Sequence, residues 1–159
     1  GYETRLIVLA DAEFPLLRTA AEFDQPPETA SILSACDDIA WANHIVFVFP
    51  LWIGSAPALL RAFLEQTARG AFFARTEGRG IQQRLTGRTA RLIVTMGMPA
   101  YVYSLVFGAH GLKSIAKSAL GFAGIAPTKM TLFGAAGEQS ATVAKTRLRQ
   151  VRALGERGL

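Results

Sequence analysis

Cysteine is almost absent: Cys36 stands alone among 159 residues. A single thiol excludes an internal disulfide and a cysteine-based metal cluster, and it favours a reducing compartment. Long apolar runs are missing too. None approaches the roughly 20 residues a membrane helix needs, so no membrane insertion is expected. Gly1-Tyr2-Glu3-Thr4 leads into only a short apolar run, so no signal peptide is expected and a cytoplasmic location is. No His/Asp/Ser set suggests a hydrolase, and no carboxylate pair or histidine cluster suggests a metal site.

What is present describes a folded protein. Half the residues are hydrophobic and 18% are charged, the balance of a globular chain and not of a disordered one. The length suits a single domain with a real core. Seventeen Lys and Arg against twelve Asp and Glu give a net charge of +5. The bases are thinly spread and lack interleaved aromatics. The densest group, Lys145, Arg147, Arg149, Arg152 and Arg157, falls on the expected last helix. A solvated face is the favoured reading there, ahead of attraction for an anionic cofactor or substrate. A nucleic-acid surface is weakly supported.

Ile45-Val46-Phe47-Val48-Phe49 is apolar throughout and reads as a strand buried on both faces, closed by Pro50. Arg5–Leu9, Arg91–Thr95 and Met130–Gly134 read as three more strands. Between them come helices over about 29–42, 55–70, 112–122 and 140–154. The first carries an apolar stripe of Ile32, Leu33, Cys36, Ile39 and Ala40. The second has Ser55 as N-cap, Pro57 in its first turn and Gly70 at its end, with Leu59, Leu60, Phe63, Leu64 and Thr67 facing the core. Val143, Leu148, Val151 and Leu154 are expected to pack the last. Phe14–Leu17 is expected to dock on the body, Pro26-Pro27 marks irregular chain, and residues 75–88 read as an exposed loop. Strict β-α alternation predicts a parallel sheet with helices on both faces and right-handed crossovers. Ligands of such sheets bind at the carboxyl ends of the strands.

The stretch from Pro50 to Phe63, PLWIGSAPALLRAF, resembles the flavin-loop signature of flavodoxin-like NAD(P)H:quinone oxidoreductases. It departs from that signature at Ile53 and Arg61, where the family usually has Trp and Lys. Gly70-Ala71-Phe72 also fits. Thr95-Met96-Gly97-Met98 is similar to the family's Thr-Thr-Gly-Gly turn, with Met98 replacing a glycine. Tyr103, with His110-Gly111 following, is similar to the family's Tyr and His, although Tyr101 competes with Tyr103. The resemblance runs from about residue 2 to the end. It implies a flavodoxin-like sandwich binding FMN or FAD, with NAD(P)H as electron donor and a quinone or similar acceptor. Pro50, Leu51, Trp52, Ile53 and Gly54 would wall the flavin, with Trp52 against the ring. Backbone donors at Thr95, Met96, Gly97 and Met98 would stabilise negative charge on the reduced ring. Tyr103 and His110 would line the acceptor pocket, against a capping or surface role for His110. A homodimer is implied, burying Phe72-Phe73 and the 101–107 segment. Cys36 and His44 read as structural.

Relatives of this family begin with a strand, a phosphate-cradling loop and a helix that have no counterpart in the sequence. No Ser/Thr/Asn/Gly-rich turn opening a helix could hold a flavin phosphate. Without that central strand, Arg5–Leu9 and Ile45–Phe49 would each expose an unpaired edge. Three arrangements answer this. The domain is incomplete at its N-terminus, which is the favoured one; another chain fills the gap; or the two edges pair directly. The rival functional class is a non-catalytic flavodoxin-like binding or regulatory subunit that has lost the phosphate site.

Overall fold

A parallel three-stranded sheet organises the chain. In the computed structural model, residues 1–78, 80–137 and 140–158 are described. Strands β1 (His44–Pro50), β4 (Thr89–Thr95) and β5 (Thr128–Phe133) lie in the order β1-β4-β5, with Phe47 opposite Leu92 and Leu92 opposite Met130. A separate antiparallel hairpin pairs β2 (Ala74–Glu77) with β3 (Gly80–Gln83). The helices are α1 (Ala20–Asp24), α2 (Ala30–Trp41), α3 (Ala58–Ala68), α4 (Ala100–Leu105), α5 (His110–Ser114), α6 (Gly121–Ala123) and α7 (Ala141–Glu156). A π-helical segment, Ile115–Leu120, joins α5 to α6 without a break.

Side chains alternate across a strand, so the register divides the sheet into two faces. On one face Ala90, Leu92 and Val94 are at most 1% exposed. They share a core with Ile32, Cys36, Leu60, Phe63, Leu112 and Leu120 from α2, α3, α5 and the π-helical segment. This is the expected helix-on-sheet packing. The other face is less covered: Ile93 and Phe133 are buried, yet Val46 is 46% and Val48 71% exposed on the free edge strand. No helix among the described residues is long and apolar enough to cross a membrane.

Several expectations need correction. Arg5–Leu9 forms no strand; it is extended chain with Leu6 87% exposed, followed by a 3-10 turn at Leu9–Asp11. A strand needs a neighbour for its ladder, and this segment pairs with none of the sheet, so the direct pairing of the two edges does not occur. Instead Arg5 bonds Asp38 at 3.0 Å and stacks over Trp41. The second helix starts at Ala58, not Ser55, because Ser55 is committed to a turn with Trp52. Residues 75–88 are not a plain loop, since Arg75–Glu77 and Gly80–Gln83 belong to the hairpin. Leu33 and Leu59 are 46% and 42% exposed, outside the stripes assigned to them.

The last helix forms where expected, but α7 has no buried residue, and Val143 and Leu148 are exposed. Its apolar stripe is covered only in part: Val151 and Leu154 are half-buried, and Arg147 lies over the Phe133 ring. Phe14 does dock, with its ring centroid 6.2 Å from that of Phe63. Gly70 ends α3 at φ +59, where a side chain would strike Pro26.

The split between faces sets the stability. Leu92→Ala should cost about 2–5 kcal/mol, the usual range for emptying a packed leucine site. Leu148→Ala should stay within about 0.5 kcal/mol, as for an exposed position. Urea unfolding followed by circular dichroism measures both, and equal losses would contradict the burial pattern.

Candidate functional site

Three loops leave the carboxyl ends of the parallel strands, and backbone hydrogen bonds tie them together. Leu51 N–H donates to the Thr95 carbonyl at 2.7 Å, joining the loop after β1 to the end of β4. Met96 N–H donates to Phe133 at 2.9 Å, and Ala135 and Ala136 N–H donate to Met98 and Met96 at 3.1 and 2.9 Å. The loops after β4 and β5 are thereby laced into one ridge. Gly134 sits so close that a Cβ there would lie 2.3 Å from Ala100 N.

The loop after β1 is a tight turn. Trp52 and Ser55 exchange backbone hydrogen bonds, both at 2.9 Å. Between them Ile53 has φ +47 and Gly54 φ +70. Glycine takes such a conformation freely, but a β-branched residue does so only when its surroundings enforce it. Two contacts enforce it here. The Tyr103 hydroxyl donates to the Gly54 carbonyl at 2.9 Å. Gly111 on α5 packs against the same carbonyl, where a Cβ would sit 2.1 Å from the oxygen.

The site residues read from the sequence therefore converge at one edge, with different exposure. Trp52 is 62% exposed and Ile53 fully so, while Met96 is buried and Gly97 and Met98 face outward. Among the described residues, the N–H groups of Ile53, Gly54, Gly97 and Met98 donate to no backbone carbonyl. No atom lies within 4 Å of the Cβ positions built on Gly54 and Gly97, so the space beside them is open. Tyr103 is only 1% exposed. Burial raises its pKa, partly offset by the Leu112 amide, so the hydroxyl keeps its proton and holds the turn. Tyr101, two residues nearer the start of α4, is 67% exposed. His110 is exposed at the start of α5, folded against Gly108. The Gly54 clamp by Tyr103 and Gly111 was not legible from spacing, because it joins residues about fifty positions apart.

The other titratable groups singled out from the sequence lie away from this edge. Cys36 is buried on α2, and burial, then the Asp37 charge, pushes its thiol up to about 11. His44 begins β1 at the opposite end of the sheet. Its Nδ1 is 2.6 Å from the Thr89 hydroxyl and its Nε2 is buried without a partner. Burial, then the charges of Arg91 and Lys129, lowers its pKa from the ordinary 6.5.

Residues 2–154 match the family described as flavodoxin-like fold, and the chain belongs to that family. No curated protein matches it. Among solved structures, Smu.1420 from Streptococcus mutans is 26% identical with a TM-score of 0.68, over 85% of this chain and 77% of that one. An NAD(P)H:quinone oxidoreductase from Methanothermobacter marburgensis is 18% identical with a TM-score of 0.64, over 81% of this chain and 65% of that one. An FMN-dependent NADH-azoreductase from Bacillus anthracis, solved with FMN, is 16% identical with a TM-score of 0.69, over 95% of this chain and 78% of that one.

Because His44 is held neutral in the fold, the sign of its pH dependence follows. Its contribution is complete above the unfolded pKa near 6.5 and is lost as pH falls toward the lower folded value. The melting temperature should therefore drop between about pH 7 and pH 5. His44→Gln should flatten that drop, as read by thermal melts across pH.

Proposed function

We propose that this chain is a flavin-dependent oxidoreductase of the NAD(P)H:quinone type, cytoplasmic and working with a quinone or similar acceptor. The observation that supports it most is the convergence of the Trp52 turn and the Gly97 turn. Both present unpaired N–H groups and open space on one edge. Such donors suit the electron-rich edge of a reduced isoalloxazine. The similarity to an azoreductase holding FMN favours FMN over FAD, and the similarity to an NAD(P)H:quinone oxidoreductase favours that donor and acceptor class.

When bound, the flavin would accept hydride from NAD(P)H and return it to the acceptor. The chain's own part is to hold and shield. Pro50, Leu51, Trp52, Ile53 and Gly54 would wall the ring, with the Trp52 indole offering an apolar face. Of the Thr95, Met96, Gly97 and Met98 turn, the Gly97 and Met98 N–H groups would be the backbone donors to the ring, since the Met96 N–H is taken by Phe133. His110, exposed next to the Gly111 that meets Gly54, would supply a proton to the reduced acceptor. Tyr103 acts from behind by fixing Gly54.

The ring end of a flavin fits these residues, and the phosphate end does not find a cradle among the described ones. At the carboxyl edge α3, α4 and α5 are entered through Pro57, Pro99 and Ala109, which offer no side-chain oxygen. We propose that the domain is incomplete at its N-terminus as given, and that a further strand fills the free β1 edge beside Val46 and Val48 and brings the phosphate loop. Absence of that strand favours the rival reading, a flavodoxin-like subunit without catalysis. A homodimer burying Tyr101, Leu105, Val106 and Phe107 is part of the same proposal; Phe73, expected at that interface, is instead in the core of the single chain at 4% exposed.

Several measurements test these readings. The purified full-length protein should show flavin absorbance and oxidise NAD(P)H with a quinone. Gly97→Val, which fills the open space, should weaken FMN binding at least about tenfold, or about 1.4 kcal/mol. His110→Gln should lower turnover at least about tenfold while leaving FMN affinity nearly unchanged. A colourless protein that regains no flavin spectrum with added FMN or FAD would support the non-catalytic reading. Separately, intact-mass analysis of the native protein should exceed the 17.1 kDa of these 159 residues; a mass equal to it would overturn the incomplete-domain proposal.

A further inference from the structure

We infer that a groove beside the amino half of β5 binds an amphiphilic carboxylate, a molecule with a straight apolar chain and one anionic head. The groove lies on the helix-covered side of the sheet, away from the loops at the carboxyl ends, and it does not depend on the oxidoreductase reading. Lys113, Ala116 and Lys117 line it from the helical side, Thr128 and Met130 from β5, and Ile125 from the loop between α6 and β5. Its volume is about 410 Å³, within the roughly 300–1,000 Å³ of small-molecule sites.

Charge sets the sign of the ligand. Lys113 on α5 and Lys117 in the π-helical segment stand four residues apart, on successive turns of one helical face. Both are exposed, and neither ammonium has an ion-pair or hydrogen-bond partner among the described residues, where the one ion pair is Arg5–Asp38. No carboxylate lines the groove. The remaining lining sets what the anion is attached to. Ala116, Ile125 and Met130 are apolar, and Met130 lies opposite Leu92 on the core side of the sheet. The Thr128 Oγ1 is enclosed without a partner and is not offered to the groove, so the head group falls to the two lysines. No aromatic side chain lines the groove, so a base or planar ring finds nothing to stack on. An alkyl chain gains from every methylene it buries against such a surface.

The backbone around the groove is fixed in advance. The Gly121 N–H bonds back to the Ala116 carbonyl, the five-residue step of a π-helix, and such segments are rare and occur mostly at functional sites. The loop that follows is laced to its neighbours. Gln83 Nε2 donates to the Gly121 carbonyl at 2.7 Å, Leu85 N–H to the Ala123 carbonyl at 2.8 Å, and Ala126 N–H to the Arg88 carbonyl at 3.0 Å. Gly124, at φ +96, packs so closely that a Cβ would lie 2.8 Å from Thr86 Cγ2. A ligand entering a groove held in this way orders little of the chain, so its contacts are not offset by lost backbone freedom.

Methyl NMR of the full chain, labelled at its methionines, tests this with octanoate, acetate and octylammonium as probes. The Met130 signal is assigned by its loss in Met130→Leu. Octanoate should move that signal and leave those of Met96 and Met98, at the carboxyl edge, in place. Octylammonium should bind at least about tenfold more weakly, because it sets a third positive charge beside the lysines. Acetate should also bind at least about tenfold more weakly, because it buries no chain. Lys113→Gln/Lys117→Gln should weaken octanoate binding at least about fivefold, and Lys113→Arg/Lys117→Arg should keep it. Both lysines are exposed, so these variants should fold, as circular dichroism checks. No movement of the Met130 signal up to about 10 mM octanoate, movement confined to Met96 and Met98, equal binding of octylammonium or acetate, or indifference to the glutamine pair would each overturn the inference. The Met130 response should be the same with and without FMN. A chain that shows it and never takes up flavin keeps this inference and loses the oxidoreductase reading; a flavin-bound chain that turns over quinone and lacks it does the reverse.

Discussion

The Gly54 carbonyl is the point on which the carboxyl edge depends. It receives the Tyr103 hydroxyl from α4, and Gly111 of α5 lies against it. Neither contact survives a shift of the turn, so α4, α5 and the Trp52 turn hold one another in a single arrangement. The close approach explains the glycine at 111. Any side chain there would push α5 off the turn, and with it Leu112, a 0% exposed member of the core. A surface loop is thus tied to the tightest packing in the molecule.

That tie offsets a local cost. Ile53 sits at positive φ, an unfavourable state worth roughly 1–2 kcal/mol for a side chain with a Cβ. The paired Trp52–Ser55 bonds and the Tyr103 bond each return about 0.5–1.5 kcal/mol, enough to hold the turn. What the strain achieves is placement. It throws Ile53 fully into solvent and leaves the N–H groups of residues 53 and 54 without backbone partners. Strain of this sort is kept where a backbone must present itself to something outside the chain.

The sequence was readable where one local signal agreed with the tertiary outcome. The 44–50, 89–95 and 128–133 strands are dense in Val, Ile, Leu and Phe and lie where the apolar runs put them. The helix before β1 was also clear, with Thr29 just ahead of Ala30. Segment 5–9 failed because a strand is a property of two segments: its composition is right, but no partner edge is there. The α7 stripe held at Val151 and Leu154, which are half-buried, and failed at Val143 and Leu148, since periodicity names a face and cannot say how far it is covered. By contrast α1 was legible and overlooked. Thr19-Ala20-Ala21-Glu22 is a capping box, and Thr19 and Glu22 bond each other's ends, Glu22 N–H to Thr19 Oγ1 at 3.2 Å. For the site, the motif located the turns, but the division of labour between Tyr101 and Tyr103 needed burial to decide.

The two faces of the sheet play different parts in this arrangement. The face with Leu92 is packed by helices on both flanks of β4 and supplies the rigidity on which the loops stand. The face with Val46 and Val48 contributes little packing and carries Arg91, 6% exposed, whose guanidinium reaches the Thr131 hydroxyl at 2.8 Å and meets no carboxylate among the described residues. A buried cation satisfied only by a hydroxyl is costly, so this face is the less stable half of the sheet. Its free edge bears two exposed valines and an unpaired row of backbone groups, the features by which sheets acquire further strands. The loops, by contrast, are already fixed to one another through β4 and β5. A strand added at the β1 edge would therefore complete the weaker side while leaving the Gly54 clamp and the Met96–Met98 ridge where they are.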